Sequence, residues 1–573
     1  ADQVGPPRPD KVVAMFYFLW QGGRHASLYD ISEILADPDR PWGPRGAFHF
    51  WGEPALGYYR TEDPYVIRKH AEMLSAAGVD VIVFDVTNGL TYDTVWQALC
   101  DEFIRLRGLG WNPPKIAFLA HSHSERVVQH LYEVLYKPGR YRQLWFRWQG
   151  KPLVMSSDRG LPDETAAFFT FRESWAWTKP NGWFGDGRHK WPWLDHYPQR
   201  FGWSINPDTP EQIAVCAAQH PISAIGRSFH DGKEPPLDAR RPEAGWCFAE
   251  QWRRAHEVDP AVVFVTGWNE WIAQRFLKEA NKAPSQLAGK PLAVGDTYFV
   301  DQYDAEFSRD IEPARNLPWD NYYWQLVAEI RRFKGARSLE PIRQAAITVD
   351  GRFDDWQAVA PEYRDWRGDP ARRDFSGWGN NHYRDTSGRN DIVIAKAARC
   401  DQGIAFFAAT ADALQLPADG RFDDWMVLRL DADDDPTTGP LGCEICVRRR
   451  NDTPQAVVEY CRVLTDGIDL ETPEGAFAVR SGMTPVERRV LGTVPLGVGE
   501  RALEVVVPWS YLAAPAAESG DVPNVADRPK RVLFQWSDGI PPEDDWRAYM
   551  YSGDAAPLGR FRYVAIRRND SKP

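Results

Sequence analysis

Residues able to do chemistry gather at one point in the first 340 positions. Val262-Val263-Phe264-Val265-Thr266 is an apolar, β-branched run that breaks at Gly267, and Trp268, Asn269, Glu270 and Trp271 follow at once. A carboxyl flanked by indoles at the end of a buried strand is partly shielded from water, and shielding raises its pKa. Glycosidic cleavage needs such an acid to protonate the leaving oxygen, and a second carboxylate as base or nucleophile. Glu270 is therefore the candidate general acid; the structural alternative is a glutamate paired with an arginine. Asp85, at the end of Val81-Ile82-Val83-Phe84-Asp85, is the candidate partner, with Asp158, Glu173, Asp195 and Asp301 competing for that role.

A sugar-binding wall is expected beside these acids. The chain holds 26 tryptophans, 21 tyrosines and 28 phenylalanines, more than a core needs, and flat indoles stack on the C–H faces of sugar rings. Trp175, Trp177, Trp183, Trp191 and Trp193 crowd one region with Arg172, Asp195 and His196. The substrate-binding set read from these patterns is Trp268, Asn269, Trp271, His121, Arg172, Trp175, Trp193 and Asp195. His121 and His123 alternate as metal ligands on a strand would, but no third ligand is evident, so hydrogen bonding to hydroxyls fits them better. No GxSxG nucleophile turn and no Gly-rich phosphate loop is present. Catalysis by carboxylates needs no cofactor.

The elements that would position these groups alternate. Strands are expected at Val12–Phe18, Val79–Phe84, Ile116–Leu119, Leu153–Met155, Phe168–Phe171, Arg200–Trp203, Ala224–Gly226 and Val262–Val265. Helices are expected at Pro64–Ala77, Thr91–Leu109, Ser124–Tyr136, Ala244–Val258 and Tyr322–Phe333. Eight strands interleaved with helices predict an α/β fold, a (β/α)8 TIM barrel over 11–340 behind a Pro-rich tail at 1–10, with a doubly wound sheet as the alternative. In a barrel the polar strand ends share one mouth. The long segment from Gln21 to Asp63, with Arg24, His25, Trp42, His49, Trp51 and Glu53, reads as a functional loop or lid.

From Ile347 short strands and turns replace helices: Ile392–Ala397, Gly403–Ala409, Trp425–Leu430, Ala456–Tyr460, Ala502–Val507 and Val532–Trp536. That texture predicts a C-terminal all-β sandwich over 341–573. The 573-residue length also calls for more than one domain. The net charge of −12 excludes nucleic acid as the main partner, and no apolar run is long enough for a membrane span. The seven scattered cysteines form no disulfide framework, and Cys443-Glu444-Ile445-Cys446 lacks the second CxxC of a zinc site. The opening Ala1-Asp2-Gln3 is compatible with a cleaved secretory protein or a trimmed chain; with a glycan substrate, a secreted or periplasmic location is expected. Nothing in the sequence bears on oligomeric state.

Gly57-Tyr58-Tyr59-Arg60 through Asp63-Pro64-Tyr65-Val66-Ile67, Ala77-Gly78-Val79-Asp80-Val81-Ile82 and Thr266-Gly267-Trp268-Asn269-Glu270-Trp271 resemble the glycoside hydrolase family 99-like barrels. That group includes endo-α-mannosidases. The resemblance implies a (β/α)8 fold and action on glycans over about residues 11–335. The family carries two glutamates three apart; Glu270 matches the first, and Ala273 stands where the second is expected. The family's base-and-acid pair is therefore incomplete, and the partner of Glu270 must come from another strand.

Ile347-Thr348-Val349-Asp350-Gly351-Arg352-Phe353-Asp354-Asp355-Trp356 and Leu428-Arg429-Leu430-Asp431-Ala432-Asp433-Asp434-Asp435 are similar to carbohydrate-binding module family 9-like sandwiches. Asp431, Asp433 and Asp435 place oxygens at alternate positions, a pattern suited to a structural calcium ion. Trp366, Trp378, Trp425 and Trp546 are candidates for a binding platform. A glycoside hydrolase with an appended glycan-binding module is the expectation. The alternatives are a glycan-binding protein with an inert barrel, a glycosyltransferase and a polysaccharide lyase.

Overall fold

The computed structural model describes residues 3–23, 27–179, 182–481, 483–513, 529–540 and 546–567, so Arg24 and His25 lie outside the described residues. The chain forms two compact units. The first comprises residues 1–108, 112–337 and 375–383, and the second 109–111, 338–374 and 384–573. The stretch 375–383, assigned from sequence to the C-terminal domain, thus belongs to the first unit. There Trp378 meets Phe50 edge-on at 5.2 Å and donates its indole N–H to the Gln21 carbonyl at 3.2 Å.

The first unit is built on seven parallel strands: β1 (Val12–Tyr17), β2 (Val81–Asp85), β3 (Lys115–Leu119), β4 (Lys151–Met155), β5 (Thr170–Phe171), β6 (Gln212–Cys216) and β7 (Val262–Thr266). Their order across the sheet is β5-β4-β3-β2-β1-β7-β6. Residues of β1 pair with β2 on one side (Ala14 opposite Val81) and with β7 on the other (Ala14 opposite Phe264). The last strand therefore returns beside the first, and the sheet curls. Helices Pro64–Ala77, Asp93–Gly108, Ser124–Leu131, Asp163–Phe168 and Trp246–Val258 lie between strands in the chain, and Asn321–Lys334 follows β7. Asp63 caps Pro64–Ala77 through the Tyr65 amide, and Gly78 ends it in a left-handed conformation open to glycine.

Alternate strand residues make the interior. Ala14, Phe16, Val81, Val83, Ala117, Leu119, Leu153, Met155, Val262 and Phe264 share one apolar cluster with Phe18 and Trp191. The intervening residues face the other way and are also buried, which is why β1, β2 and β7 read as unbroken apolar runs.

Among the described residues the ladder does not close between β5 and β6. The predicted strand at Arg200–Trp203 forms only isolated bridges, Arg188 with Trp203 and Gly202 with Gln212, and Ala224–Gly226 forms no strand. The strand on that side is Gln212–Cys216, which the sequence reading missed. The opening is spanned by side chains. Arg172, after β5, pairs with Glu211, before β6, and Glu211 also accepts the Trp191 indole at 2.7 Å and the Ser204 hydroxyl. The observed architecture is a curled, mainly parallel sheet with helices.

The second unit is rich in antiparallel sheet. Its main sheet is one continuous ladder of eleven described strands. The long strand Val486–Val498 joins two halves, pairing with Gln455–Val463 through Val486–Pro495 and with Ala502–Pro508 through Leu496–Val498. Side chains from both halves, among them Ile404, Phe406, Leu428, Leu430, Val505, Phe534 and Trp536, share one apolar core. Trp425 and Trp546 are fully buried, as is Trp378 in the first unit, so these three supply no platform. All seven cysteines are free.

Candidate active site

Glu270 lies four residues past β7, and its position is over-determined. Asn269 turns its amide onto the backbone of Phe18: Oδ1 accepts the Phe18 N–H at 2.9 Å and Nδ2 donates to the Phe18 carbonyl at 3.1 Å. The side chain thereby continues the β7–β1 ladder where the main chain leaves it. Trp268 is wholly buried, edge-on to His70 at 5.6 Å. Trp271 stacks on Trp51 at 4.7 Å and donates to Glu312 at 2.5 Å. Trp268, Asn269 and Trp271, read from sequence as substrate-binding residues, are buried and form the frame that holds Glu270. A Cβ on Gly267 would come within 2.7 Å of Phe18 Cε2, so a larger residue there collides with the interior.

The Glu270 carboxyl is buried and receives three donors, all on one oxygen. Gln302 Nε2 (2.9 Å), Arg309 Nε (3.0 Å) and Arg309 Nη2 (2.5 Å) converge on Oε2, and Oε1 takes none of these bonds. The Asp310 carboxylate accepts the Glu270 backbone N–H and the Trp51 indole N–H, the latter at 2.6 Å. Arg309 also approaches Asp301 at 3.7 Å and lies 5.7 Å from the Trp193 ring centroid.

Negative charge is in excess here. Burial pushes the Glu270 pKa well above the ordinary range; Arg309 opposes the shift, and Asp301, Asp310 and Asp85 add to it. Burial takes Asp85 up to about 6 and Asp310 up to about 7, against hydrogen bonds that favour their ionised forms. Asp301 also moves upward through burial, with Arg309 opposing, although its side chain keeps 30% exposure. Arg309 is buried amid these acids, and their charge outweighs its burial, so it stays a cation. A group of carboxylates around so few cations retains a proton at neutral pH.

The other predicted residues divide. Asp85 is buried, with Oδ1 accepting the Thr87 amide and Oδ2 the Trp20 indole, each at 2.9 Å. Arg172 is committed to Glu211. Asp195 clamps a loop, accepting from the Thr178 amide and hydroxyl and from the Arg200 amide. Glu173 pairs with Lys190 and Arg159, and Asp158 is exposed. Of the four competing acids only Asp301 joins the cluster electrostatically.

His121, Trp175 and Trp193 do come together. His121, exposed, stacks on Trp175 at 3.5 Å, and Trp175 meets Trp193 edge-on at 6.3 Å. Burial, reinforced by Arg309, lowers His220 to about 3 and keeps it neutral, and its ring lies 4.9 Å from Trp177. Among the described residues no third metal-binding side chain gathers with His121 and His123.

The sequence reading missed Gln302, Arg309 and Asp310. The acidic stretch Asp301-Gln302-Tyr303-Asp304 through Asp310-Ile311-Glu312 is the signal that marks that loop. Glu312, buried, collects His70 (2.9 Å), Tyr59 (2.7 Å) and Trp271, and completes the support beneath Glu270. Trp51, read as part of a lid, belongs to this packed frame, and Phe48–Phe50 pairs with Ile272–Gln274. A groove of about 790 Å³ runs along the outer helices past His230, Trp246, Arg253 and His256. None of the clustered acids lines it, and several of its charges are paired with one another, as in His256–Glu329 at 2.8 Å and Arg253–Glu250 at 3.2 Å.

No protein-family model matches the chain, and no curated protein matches it. Among solved structures it is similar to the GH99 endo-alpha-mannosidase from Bacteroides thetaiotaomicron, with 16% identity and a TM-score of 0.32 over 58% of this chain and 99% of that one. The same enzyme in complex with bis-tris-propane gives 16% and 0.32 over 56% and 96%. A glycoside hydrolase-like protein gives 12% and 0.34 over 58% and 96%. Likenesses of this size leave the chemistry to be read from the residues themselves. Among the described residues no helix is long and apolar enough to cross a membrane.

Proposed function

We propose that the chain is a glycoside hydrolase acting on a poly- or oligosaccharide at the mouth of a (β/α)8-type barrel. Glu270 is the general acid and Asp301 its partner carboxylate. The observation that carries this reading is the convergence of all three donors on Oε2 of Glu270, inside a cluster with excess negative charge. Oε1 carries the proton toward the glycosidic oxygen, while Oε2 is the carbonyl oxygen of the neutral carboxyl and takes up the negative charge, under its three donors, once that proton has been transferred. Asp301 fits the partner role better than Asp85 on access, since both Asp85 oxygens are occupied by Thr87 and Trp20 and its side chain is buried. Asp85 then acts through its charge, holding the proton on Glu270. Trp193, Trp175 and His121 supply the sugar-stacking wall.

The test is a screen of plant, algal and bacterial polysaccharides with mass spectrometry of products, followed by Glu270→Gln and Asp301→Asn on any substrate found. Each variant is expected to lose about 10²–10⁴-fold in turnover with binding retained. Retention of more than about a tenth of wild-type turnover by Glu270→Gln rejects its role as the acid. The Arg309–Glu270 ion pair favours one rival, a glycan-binding protein without chemistry. That rival predicts oligosaccharide binding by titration with no release of reducing ends.

A further inference from the structure

We propose that the groove along the outer face of helix Trp246–Val258 binds a stretch of uncharged polysaccharide, apart from the carboxylate cluster; the class of ligand rests on the reading of the chain as a glycan-acting protein. The groove holds about 790 Å³, within the size of small-ligand sites. Along the helix Trp246, Ala249, Arg253 and Glu257 recur every three or four residues and are exposed, while Cys247, Phe248, Trp252 and Ala255 are buried. Among the described residues Trp246 is the one exposed tryptophan, at 37%, and its ring lines a concavity as the aromatic wall of a ligand site does. His230 meets that ring edge-on at 4.8 Å, and among the described residues nothing accepts the Trp246 indole N–H. Strands β6 and β7 are parallel, so the helix between them runs back against both, and Trp246 lies at the edge of the sheet that carries Glu270. The Cys247 amide donates to the Arg227 carbonyl at 3.1 Å, and Arg227 Nη2 donates to the Asp310 carbonyl at 2.7 Å. The head of the groove and the cluster thus share one edge and are linked through Arg227.

The groups around the ring suit hydroxyls. The turn from His230 to Lys233 closes through two backbone bonds of 3.1 Å, and the Glu250 carboxylate pins it to the helix by accepting the Asp231 amide at 3.2 Å. His230 Nδ1 donates to the Ser228 carbonyl at 2.8 Å, so Nε2 is the ring nitrogen left for a ligand. Asp231 is exposed and makes no ion pair among the described residues. A flat apolar face rimmed by carboxylate, guanidinium and imidazole matches a pyranose, which presents C–H groups on its face and hydroxyls around its edge. The same residues disfavour other occupants. An anion finds no free cation, since Arg253 is held by Glu250 at 3.2 Å and Arg332 by Glu329 at 2.5 Å, and acids outnumber arginines in the lining. A lipid or a protein partner needs a broad apolar area, and only Trp246 and Ala249 of the lining are apolar.

The test labels the full chain with 5-fluorotryptophan and follows the fluorine NMR signal of Trp246, identified by its loss in Trp246→Phe. The probes are linear neutral hexasaccharides of glucose, mannose, xylose and galactose, with oligogalacturonate as the charged control. At least one neutral probe should shift the signal, with saturation below about 10 mM. Ala249→Arg, at an exposed helix position that arginine suits, fills the groove and should weaken that response at least about tenfold. A Trp246 response without cleavage of any glycan supports this site and counts against the hydrolase reading alone. Cleavage of a neutral glycan that leaves the Trp246 signal unmoved overturns the site and leaves that reading standing. The site is also overturned if no neutral probe shifts the signal up to about 10 mM, or if oligogalacturonate alone does. A wild-type response in Ala249→Arg overturns it too. So does a signal that moves with protein concentration alone, which assigns the groove to a second copy of the chain.

Discussion

Arg309→Met tests the charge balance of the carboxylate cluster around Glu270 without any substrate. The guanidinium donates twice to Glu270 Oε2, donates to the Gln219 and Asp301 carbonyls, and lies 3.7 Å from the Asp301 carboxylate. Methionine keeps most of the volume and removes the charge. Breaking a buried ion pair from one side costs about 3–5 kcal/mol, since the remaining carboxylate has no counter-charge. That cost depends on pH with a definite sign. Glu270, Asp301 and Asp310 already have folded-state pKa values above their unfolded ones, and loss of Arg309 raises them further. A carboxyl raised in the folded state keeps its proton there while the unfolded chain releases it. Folded stability is therefore full below the unfolded pKa and falls as pH rises toward the folded one, by about 1.4 kcal/mol per pH unit for each proton. The deficit of Arg309→Met should be greatest at pH 8 and less than about half as large at pH 5. Urea unfolding followed by tryptophan fluorescence at both pH values, with wild type in parallel, measures it. An equal deficit at the two pH values, or a larger one at pH 5, refutes the claim that the cluster holds excess negative charge.

Gly267→Ala should destabilise the first unit by about 1–3 kcal/mol, because the added methyl meets the Phe18 ring at 2.7 Å inside a packed interior; the melting transition of that unit reports it. Glu504→Ala should destabilise the second unit by about 2–4 kcal/mol. It strands the Trp356 indole (2.7 Å) and the Asp350 and Gly351 amides (3.1 and 2.9 Å), and only the transition of that unit should move.

Elements of the first unit were legible where burial is two-sided. Continuous apolar runs such as Val81–Phe84 and Val262–Val265 leave little but a buried strand, and Pro64 with Gly78 marks both ends of one helix. The reading failed between β5 and β6. There Arg200–Trp203 and Ala224–Gly226 carry too little apolar character to make a ladder, while Gln212–Cys216 opens with a polar residue that hid it. In the second unit Val486–Val498 escaped because Glu487, Arg488 and Arg489 mask its alternation, although it joins the two halves of the sheet.

The sequence by itself determined the chemical character of the candidate site: an acid after a buried strand, aromatic side chains nearby, and a second acid at the end of β2. Periodicity and residue type act over a few residues, so they are readable from neighbours in the chain. Only the tertiary structure decided what each group does. Trp268, Asn269, Trp271, Arg172 and Asp195 are spent on the frame, and Glu270 meets Arg309 and Gln302 from a loop more than thirty residues on. Strand register brings Glu444 opposite Asp431 and beside Asp433, while Asp435, read from sequence with those two aspartates, instead caps Thr437 in an exposed turn. Hydrogen-bond capacity and burial belong to the folded arrangement. Which oxygen is already used, and which is left for a proton, follows from how distant segments return to one another.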